Sequence, residues 1–505
     1  MLDWASGMAF PARIPLALPL TLLLAGAIAA ACSSGASHPS GGPVDAGDDA
    51  ADAAPAATLD SLGVSTGILR PSFDPNVTDY DVTSLNSVYP VSVTAATSTA
   101  GATMTIHGAV AQSGVASTFT LMPKEDFSVV VTAPGSTSTT YTVHYVPSDF
   151  PPYAVTTSAS QGPEDFLVSP GGQYILILDR SGAPLYYRTF LPDDLENFQQ
   201  TTYPDGTVVY SVTVGVFNAS GWTLGVDHLM DDHFNDIGDY QLPAYAQHGI
   251  LPAEGHETLW LGPEHYVAIS YVQRTLDLSG LNPAWSSTAQ VMSCVMQEVD
   301  QGNVLVEWDS ANWPSLYSDS TYENSFTSTD VSDYLHLNSI TIDPSDDNFI
   351  VSFRHTSSIV KIDRRTAQIL WTMGGKEDQF ALTPDQVFTF QHDVKLQPDG
   401  SITVFDNGYT SPRQTRMLSL VLDETNHAVT SFDVLYTKPA DEPQTGLMGS
   451  LTPLSGGRLF IGWGGWYTSD LEPAASEIVN GAPVWSIEFQ TVGVWSYRAL
   501  PITPL

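Results

Sequence analysis

Basic residues are scarce in this chain. Its 505 residues include 17 lysines and arginines against 55 aspartates and glutamates, which gives a formal net charge of −38 at pH 7. So acidic a surface repels phosphate backbones, and no basic run offsets it, so the composition argues against nucleic acid as a partner. An anionic substrate would need a local group of cations or imidazoles, set against the field of the whole protein.

Cysteine is almost absent. The chain has two, Cys32 and Cys294, and loss of an N-terminal signal would leave no pair able to form an intramolecular disulfide. Cys294 stands among valines and methionines, which predicts a buried structural thiol rather than a nucleophile.

Several catalytic signatures are missing as well. Lys376 follows two glycines, but Glu377 comes next instead of Ser or Thr, so a nucleotide donor lacks an obvious phosphate-binding loop. Cys294 does not begin the Pro-x-Arg pattern of formylglycine sulfatases, and no G-x-S-x-G elbow is apparent in residues 150–505. The usual routes to sulfate or ester chemistry are therefore absent.

The N-terminus is typical of an export signal. Residues 1–31 contain one basic residue, a Leu- and Ala-rich apolar run and a small-residue cleavage site directly before Cys32. This arrangement resembles a lipoprotein signal and predicts lipidation of Cys32, with the protein membrane-anchored in the periplasm or at the cell surface. Ala29 replaces the usual leucine, so ordinary secretion is the alternative. Residues 32–58 have almost no large apolar side chains, which predicts a disordered acidic linker.

Residues 59–147 predict a β-sandwich. The stretch "LDSLGVSTGILRPSFDPNVTDYDV" leads into short Thr- and Val-rich segments at about ten-residue spacing, separated by turn residues. The opening stretch resembles the bacterial cadherin-like β-sandwich repeat. That resemblance implies a spacer or adhesion module without chemistry of its own.

Residues 150–505 predict a β-propeller. Strand–turn–strand units such as "HLNSITIDPSDDNFIVSFRH" and "HDVKLQPDGSITVFDNG" recur, and several continue into a further pair of strands. Units of roughly 50–60 residues with four strands each give about six blades. We therefore expect an all-β protein, a six-bladed propeller preceded by the sandwich.

Three histidines occupy matching places in these units. His256, His336 and His392 each stand at the head of a first strand, and equivalent positions in different blades meet around the central channel. Asn338 lies two residues after His336 on the same strand face, and Arg354 ends the paired strand. We predict that these five side chains converge on one end of the channel.

Such a cluster suits transfer of a charged group. Imidazoles serve as nucleophile and general acid or base, while the Arg354 fork and the Asn338 amide stabilise charge on equatorial oxygens. Three histidines would also suffice for zinc, although Arg354 would repel the cation.

Strand alternation predicts structural roles for two neighbours of these residues. It places His355 on the opposite face from Arg354, and Asp393 opposite His392. We expect Lys361, Arg364 and Arg365 to form a solvent-exposed run of charged side chains at the tip of a hairpin.

Three segments of residues 150–505 resemble a known family. "HLNSITIDPSDDNFIVSFRHTSSIVKIDRRTAQILWTMGGK", "FQHDVKLQPDGSITVFDNG" and "GSLTPLSGGRLFIGWG" resemble the bacterial arylsulfotransferases that need no sulfonucleotide. The resemblance implies a six-bladed propeller and ping-pong transfer of a sulfuryl group from a phenolic sulfate ester to a phenol, without a cofactor or a catalytic metal.

The resemblance also implies roles for the aligned residues. His392 takes the position of the transiently sulfated histidine, His336 and Asn338 match the His-x-Asn pair, and Arg354 matches the sulfate-binding, catalytic arginine. His256 aligns with a further catalytic histidine, although Gly262-Pro263-Glu264 replaces the usual Pro-Asn-Gly ending. The implied partners are small phenols and aryl sulfates, and the membrane only through a lipid anchor. Oligomeric state is not predicted.

Two other functions stay open from the residues alone. One is a non-catalytic propeller displayed at the surface as a binding module, and the other is a metal-dependent lyase or hydrolase on the same fold. Phenol-dependent release of nitrophenolate from 4-nitrophenyl sulfate would favour the transferase over the first, and insensitivity to a chelator would favour it over the second.

Overall fold

A computed structural model describes residues 57–505, apart from short gaps at 66–68, 71, 84–88, 122–124, 136, 148, 160–161, 219–220, 246–247, 410–413 and 467–470. The described chain is almost entirely β, as predicted; its one α-helix is α1 (Ser315–Asp319). The predicted signal peptide, the Cys32 lipidation site and nearly all of the linker lie outside the described residues. No helix within the described part has the length and hydropathy to span a bilayer.

The N-terminal domain is a sandwich of two sheets. Its strands are β1 (Ser61–Val64), β2 (Leu69–Arg70), β3 (Asp79–Thr83), β4 (Tyr89–Ala96), β5 (Thr103–Ile106), β6 (Ala109–Ala111), β7 (Ser117–Leu121), β8 (Asp126–Thr132) and β9 (Ser138–Val146). One sheet has the order β1-β4-β7 and the other β2-β3-β9-β8-β5-β6. Alternate residues of β8 and β9, such as Val129 and Tyr141, are fully buried between them, which is the period-two pattern that the sequence shows.

Thirty further strands lie in the described part of 153–502. Those of the first half are β10 (Tyr153–Thr157), β11 (Asp165–Val168), β12 (Ile175–Leu178), β13 (Pro184–Arg188), β14 (Asp194–Thr202), β15 (Val208–Phe217), β16 (Thr223–Asp231), β17 (Asp236–Tyr240), β18 (Leu242–Tyr245), β19 (Gly249–Leu251), β20 (Ala253–Glu254), β21 (Thr258–Gly262), β22 (His265–Leu276), β23 (Ala289–Asp300) and β24 (Asn303–Asp309). Those of the second half are β25 (Leu337–Asp343), β26 (Asn348–Phe353), β27 (Ser358–Ile362), β28 (Ile369–Gly374), β29 (His392–Leu396), β30 (Ile402–Asp406), β31 (Arg416–Asp423), β32 (Ala428–Thr437), β33 (Thr445–Leu447), β34 (Ser450–Leu454), β35 (Arg458–Gly462), β36 (Gly465–Trp466), β37 (Pro473–Val479), β38 (Ala482–Phe489) and β39 (Ala499–Ile502).

These strands form the blades of a β-propeller. Six antiparallel sheets of four or five strands lie within the described part of 153–502, with two small two-stranded ribbons beside them. First strands of neighbouring sheets contact one another from β21 through β25, β29 and β34 to β39. The ring closes at both ends of the domain, because β39 pairs with β11 and β10 adds to β38. The heads of the first strands therefore lie around one axis.

Cys294 and Lys361 are both buried within the blades. Cys294 is fully buried in β23, as predicted, and burial raises the pKa of its thiol. The prediction of a solvated Lys361 is wrong: its side chain is 1% exposed, and Nζ lies 2.8 Å from Asp343 and 2.7 Å from Glu424. β27 is covered on both faces, so the lysine can be accommodated only with carboxylates around it.

A buried ion cluster joins three blades near the axis. The guanidinium of Arg498, just before β39, donates 3.0 Å and 3.2 Å hydrogen bonds to the Glu257 carboxylate before β21. Asp393 in β29 lies 3.4 Å from Arg498 Nε, and Lys395 Nζ also contacts Glu257. Both members of the Arg498–Glu257 pair are nearly fully buried, so the loss of either would leave an uncompensated charge.

Arg498→Met should therefore destabilise the propeller. We expect its free energy of unfolding to fall by about 3–5 kcal/mol, because Glu257 would keep a buried charge with only Lys395 beside it. Denaturant unfolding of the propeller transition measures this, and Arg365→Met, at a 90% exposed side chain, is the control. A loss below about 1 kcal/mol, the range of exposed ion pairs, would contradict the prediction.

Candidate active site

The predicted histidines and Arg354 meet at one end of the first strands. His256 lies between β20 and β21, His336 directly precedes β25, His392 opens β29 and Arg354 directly follows β26. The rings of His256 and His336 are 4.8 Å apart, and His392 is close enough for Arg354 and both rings to affect its pKa. All four residues are between 2% and 5% exposed.

The backbone is irregular beside His336 and at His392, where the strand pairing shifts register. The β25–β26 register shifts between Leu337 and Ser339, and the β29–β30 register shifts between His392 and Lys395. His336 and Asp393 adopt positive φ, +56° and +47°, which non-glycine residues rarely do. Bulges of this kind re-aim side chains, so period-two alternation fails at these positions.

Each imidazole is held at Nδ1 by a buried polar partner. Nδ1 of His392 lies 2.8 Å from Oδ1 of Asn407, and Nδ1 of His336 lies 2.6 Å from Oδ2 of Asp333. Nδ1 of His256 lies 2.5 Å from Oε1 of Glu254. The partner is therefore a neutral amide at His392 and a carboxyl group at the other two rings.

His392 is poised as a neutral base. Asn407 donates from Nδ2 to the Met448 carbonyl oxygen at 3.0 Å, so its Oδ1 faces His392 and the ring carries its proton on Nδ1. Nε2 keeps its lone pair and accepts a 3.3 Å hydrogen bond from the Met448 amide. Burial, helped by the charge of Arg354, holds the pKa of His392 well below its ordinary value.

The other two rings are also held neutral. Burial lowers the pKa of His336 well below its ordinary value, with the neighbouring His256 and Arg354 acting in the same direction. Burial lowers the pKa of His256 to about 4 against the opposing effect of Glu196. Burial raises the pKa of Asp333 and, more strongly, that of Glu254.

His355 belongs to the cluster, which corrects the prediction that it faces away. Arg354 Nη1 donates a 2.6 Å hydrogen bond to His355 Nε2, and His355 Nδ1 donates to the Asp333 carbonyl oxygen. The His355 ring lies 4.7 Å from that of His336. Alternation fails here because Arg354 and His355 sit in the turn after β26 rather than in the strand.

Arg354 is fixed from three sides. Besides His355, its guanidinium contacts the Gly446 carbonyl oxygen at 3.4 Å and lies 4.5 Å above the Phe390 ring. The segment 446–448 thus contacts both Arg354 and His392, through Gly446 and Met448. The predicted sulfate-binding arginine and the predicted nucleophile share one neighbourhood.

Asn338 links two first strands. Its Nδ2 donates a 2.8 Å hydrogen bond to the carbonyl oxygen of Gln391, the residue before His392. Its buried Oδ1 lacks a hydrogen-bond partner among the described residues. Asn338 thus positions β29, and its contact with substrate stays a prediction.

The acceptors at Nδ1 and Glu196 are what sequence reasoning missed. Asp333 and Glu254 precede their histidines by three and two residues, and Asn407 lies in the "FDNG" that ends the β29–β30 hairpin. A polar residue close to each histidine, in sequence or across its hairpin, was the available signal. Asp393, expected to be structural, accepts a 2.8 Å hydrogen bond from the Leu451 amide.

Asp333, His336 and His355 are close enough to hold a metal ion, with ligand atoms within 4.8 Å of one another. The hydrogen bonds do not favour that use. Both ring nitrogens of His355 are bonded, to Asp333 and to Arg354, and Nδ1 of His336 is bonded to Asp333. The adjacent guanidinium also opposes a cation. This donor set fits an anion better than a metal.

An aromatic-walled cavity of about 530 Å³ adjoins the cluster. Its wall includes Tyr322, whose ring lies 4.8 Å from that of His355, and Phe390, which lies under Arg354. Tyr409 stacks on Phe390 at 4.2 Å. A flat apolar group would find rings on several sides here.

A family model described as "Arylsulfotransferase (ASST)" matches residues 168–434, more than half of the chain, and contains His256, His336, Arg354 and His392. The chain belongs to the arylsulfotransferase family. A second model, a cadherin-like β-sandwich domain, matches residues 59–146, which confirms the predicted order of domains. The arylsulfotransferase domain supports an arylsulfotransferase activity, with aryl sulfates and phenols as the substrate classes.

Other comparisons are distant. No curated protein matches this chain. Among solved structures, a quinonprotein alcohol dehydrogenase-like protein from Bacteroides thetaiotaomicron is 10% identical, with 86% of this chain and 98% of that one covered and a TM-score of 0.35. The β-propeller domain of Cps50 from Myceliophteria thermophila is 10% identical, with 66% and 88% covered and a TM-score of 0.35. The dihydro-heme d1 dehydrogenase NirN is 11% identical, with 65% and 55% covered and a TM-score of 0.29.

The neutrality of His392 predicts how stability depends on pH. The folded state holds its pKa far below that of the unfolded chain, so protons bind preferentially to the unfolded state as pH falls through about 6.5. Between pH 7 and pH 5, we expect the wild type to lose about 2 kcal/mol of unfolding free energy relative to His392→Gln.

Denaturant titrations at both pH values measure this difference, and His233→Gln, at a 79% exposed side chain, is the control variant. Parallel pH profiles for the wild type and His392→Gln would mean that His392 takes up a proton in the folded protein.

Proposed function

We propose that this protein transfers a sulfuryl group from an aryl sulfate to a phenol by a ping-pong mechanism through sulfo-His392. The observation that carries the proposal is His392 itself, a buried neutral imidazole with its proton held at Nδ1 by Asn407 and the Arg354 guanidinium nearby. Such a ring offers Nε2 as a nucleophile at neutral pH once the donor displaces the Met448 amide from it, and the arginine suits an anionic group in a site that excludes water.

In the first half-reaction, Arg354 and Asn338 bind the oxygens of the donor sulfate. Nε2 of His392 attacks sulfur, and the bond from sulfur to the aryl oxygen breaks with its electron pair moving to that oxygen. His256 or His336 supplies the proton that the leaving phenolate needs. The product phenol leaves sulfo-His392 behind.

The amide of Asn407 suits the intermediate. An amide oxygen accepts a hydrogen bond from Nδ1 but cannot take the proton, so the sulfated ring stays a cation. A cationic ring is a better leaving group than a neutral one. A carboxylate in this place would neutralise the ring and slow the second transfer.

The second half-reaction reverses the first with a new phenol. The acceptor gives its proton to the same imidazole, its oxygen attacks sulfur, and the electron pair of the nitrogen–sulfur bond returns to Nε2 of His392. The aromatic-walled cavity beside Arg354 offers a surface for the aryl groups of donor and acceptor. Splitting the exchange into two positioned steps is the advantage of a covalent intermediate.

We also propose that the enzyme acts outside the cytoplasm, anchored through lipidated Cys32. The N-terminal sequence supports this location. A labelled fatty acid should be incorporated into the full chain and not into Cys32→Ala, and equal labelling of both would refute the anchor.

The decisive test of the function is mass spectrometry of the protein quenched with 4-nitrophenyl sulfate alone. We expect one added sulfuryl group on the peptide that contains His392, no such peptide in His392→Gln, and normal labelling in His233→Gln. Added phenol should discharge the group and release one nitrophenolate per transfer.

Other outcomes would identify the alternatives. Nitrophenolate release without phenol that a chelator abolishes would indicate a metal-dependent hydrolase. Donor binding without release or labelling would indicate a binding module. Turnover in the presence of phenol without any sulfated His392 would refute the covalent mechanism.

A further inference from the structure

Two buried carboxyl groups flank His256. Glu254 contacts both its Nδ1, at 2.5 Å, and its backbone amide, at 3.0 Å. Glu196, on β14, favours a proton on His256, although burial raises the pKa of Glu196 itself to about 7, and its buried Oε1 has no hydrogen-bond partner among the described residues. Glu196 Oε2 accepts a 3.0 Å hydrogen bond from the Thr223 amide. A proton on His256 would therefore lie between two acidic groups.

His336 has a different environment. Its partner Asp333 is also the residue whose carbonyl oxygen holds His355, which in turn accepts from Arg354. Burial raises the pKa of Asp333 against the opposing effects of His355 and Arg354, and burial lowers the pKa of His336 with His256 and Arg354 acting in the same direction. Asp333 is thus tied to both His336 and His355, and the charges around His336 disfavour a second proton on that pair.

The other charged groups near His256 do not change this difference between His256 and His336. Arg498 and Arg354 oppose a proton on His256, and Asp333 favours one. Arg498 is itself neutralised by Glu257, at 3.0 Å, and by Asp393, at 3.4 Å. Asp227 acts on Glu254 and raises its pKa further.

We propose that Glu254 makes His256, rather than His336, the proton carrier of the sulfuryl transfer, an inference that rests on the proposed function. Glu254 is a positioning residue in this role, since it acts on substrate only through the imidazole.

The resting pair holds two protons. Burial keeps the pKa of Glu254 high, so one proton lies between Glu254 and Nδ1 of His256 and a second is held on Nε2. In the first half-reaction, Nε2 gives its proton to the leaving aryl oxygen, and the pair becomes a carboxylate with a neutral imidazole. In the second, the acceptor phenol returns a proton to Nε2. Protons balance over the cycle without a further reactant.

The test exploits the leaving group. Phenolate needs a proton as it departs, whereas 4-nitrophenolate is a stable anion and needs little help. In Glu254→Gln, the amide still accepts from Nδ1 but cannot compensate a protonated ring. Sulfation of His392, followed by intact mass with no acceptor present, should slow about 100-fold with phenyl sulfate and stay within about threefold of wild type with 4-nitrophenyl sulfate.

Two further variants make the result decisive. Asp333→Asn, the matched change at the other pair, should slow both donors by the same factor, because it disturbs the hydrogen bond that holds His336 rather than proton transfer. His256→Gln should reproduce the phenyl sulfate defect, and it answers the question if Glu254→Gln fails to fold.

An equal loss for both donors in Glu254→Gln and His256→Gln would overturn the inference while the labelled His392 of the wild type upheld the proposed function. Absence of labelling in the wild type with either donor would instead refute the proposed function.

Discussion

The hydrogen bond at Nδ1 of each imidazole is the constraint on which the site depends. A buried ring without a fixed partner could turn over or exchange tautomers, and neither nitrogen would have a defined task. Here Asn407 holds His392, Asp333 holds His336 and Glu254 holds His256. The chemical type of the partner separates the rings, since an amide cannot take a proton and a carboxyl group can. One residue type can therefore serve as a nucleophile beside an amide and as a proton carrier beside a carboxyl group.

The propeller holds the imidazoles in place, and it also buries charged side chains around them. First strands from different sheets bring the rings together, and β-bulges turn them toward each other. Around the axis, Arg498 is compensated by Glu257 and Asp393, and Arg354 is held by His355 and the Gly446 carbonyl oxygen. Each cation has a partner, so the interior tolerates the charges. The rigid surroundings also reduce the reorganisation that transfer of an anion would need.

The blades and the convergence of the histidines with Arg354 could be predicted from the sequence, because equivalent residues recur at the same position of each repeat. The sandwich could be predicted from its short, regularly spaced strands. Prediction from the sequence failed where the chain departs from regular strand alternation or from the usual exposure of a hairpin. His355 was assigned to the wrong face since it lies in a turn, and Lys361 was taken for a surface residue although β27 is covered on both faces. Asp333, Glu254 and Asn407 were missed because a search for groups that meet substrate overlooks groups that meet only the imidazoles.

We infer that one anion site lies between Arg354 and residue 392. A crystal structure of His392→Gln with 4-nitrophenyl sulfate would locate that site, because this variant can bind the donor without consuming it. We expect sulfate oxygens within about 3 Å of the Arg354 guanidinium and the sulfur facing the side chain of residue 392. A donor bound elsewhere in the propeller, with Arg354 still bonded only to His355 and Gly446, would contradict it.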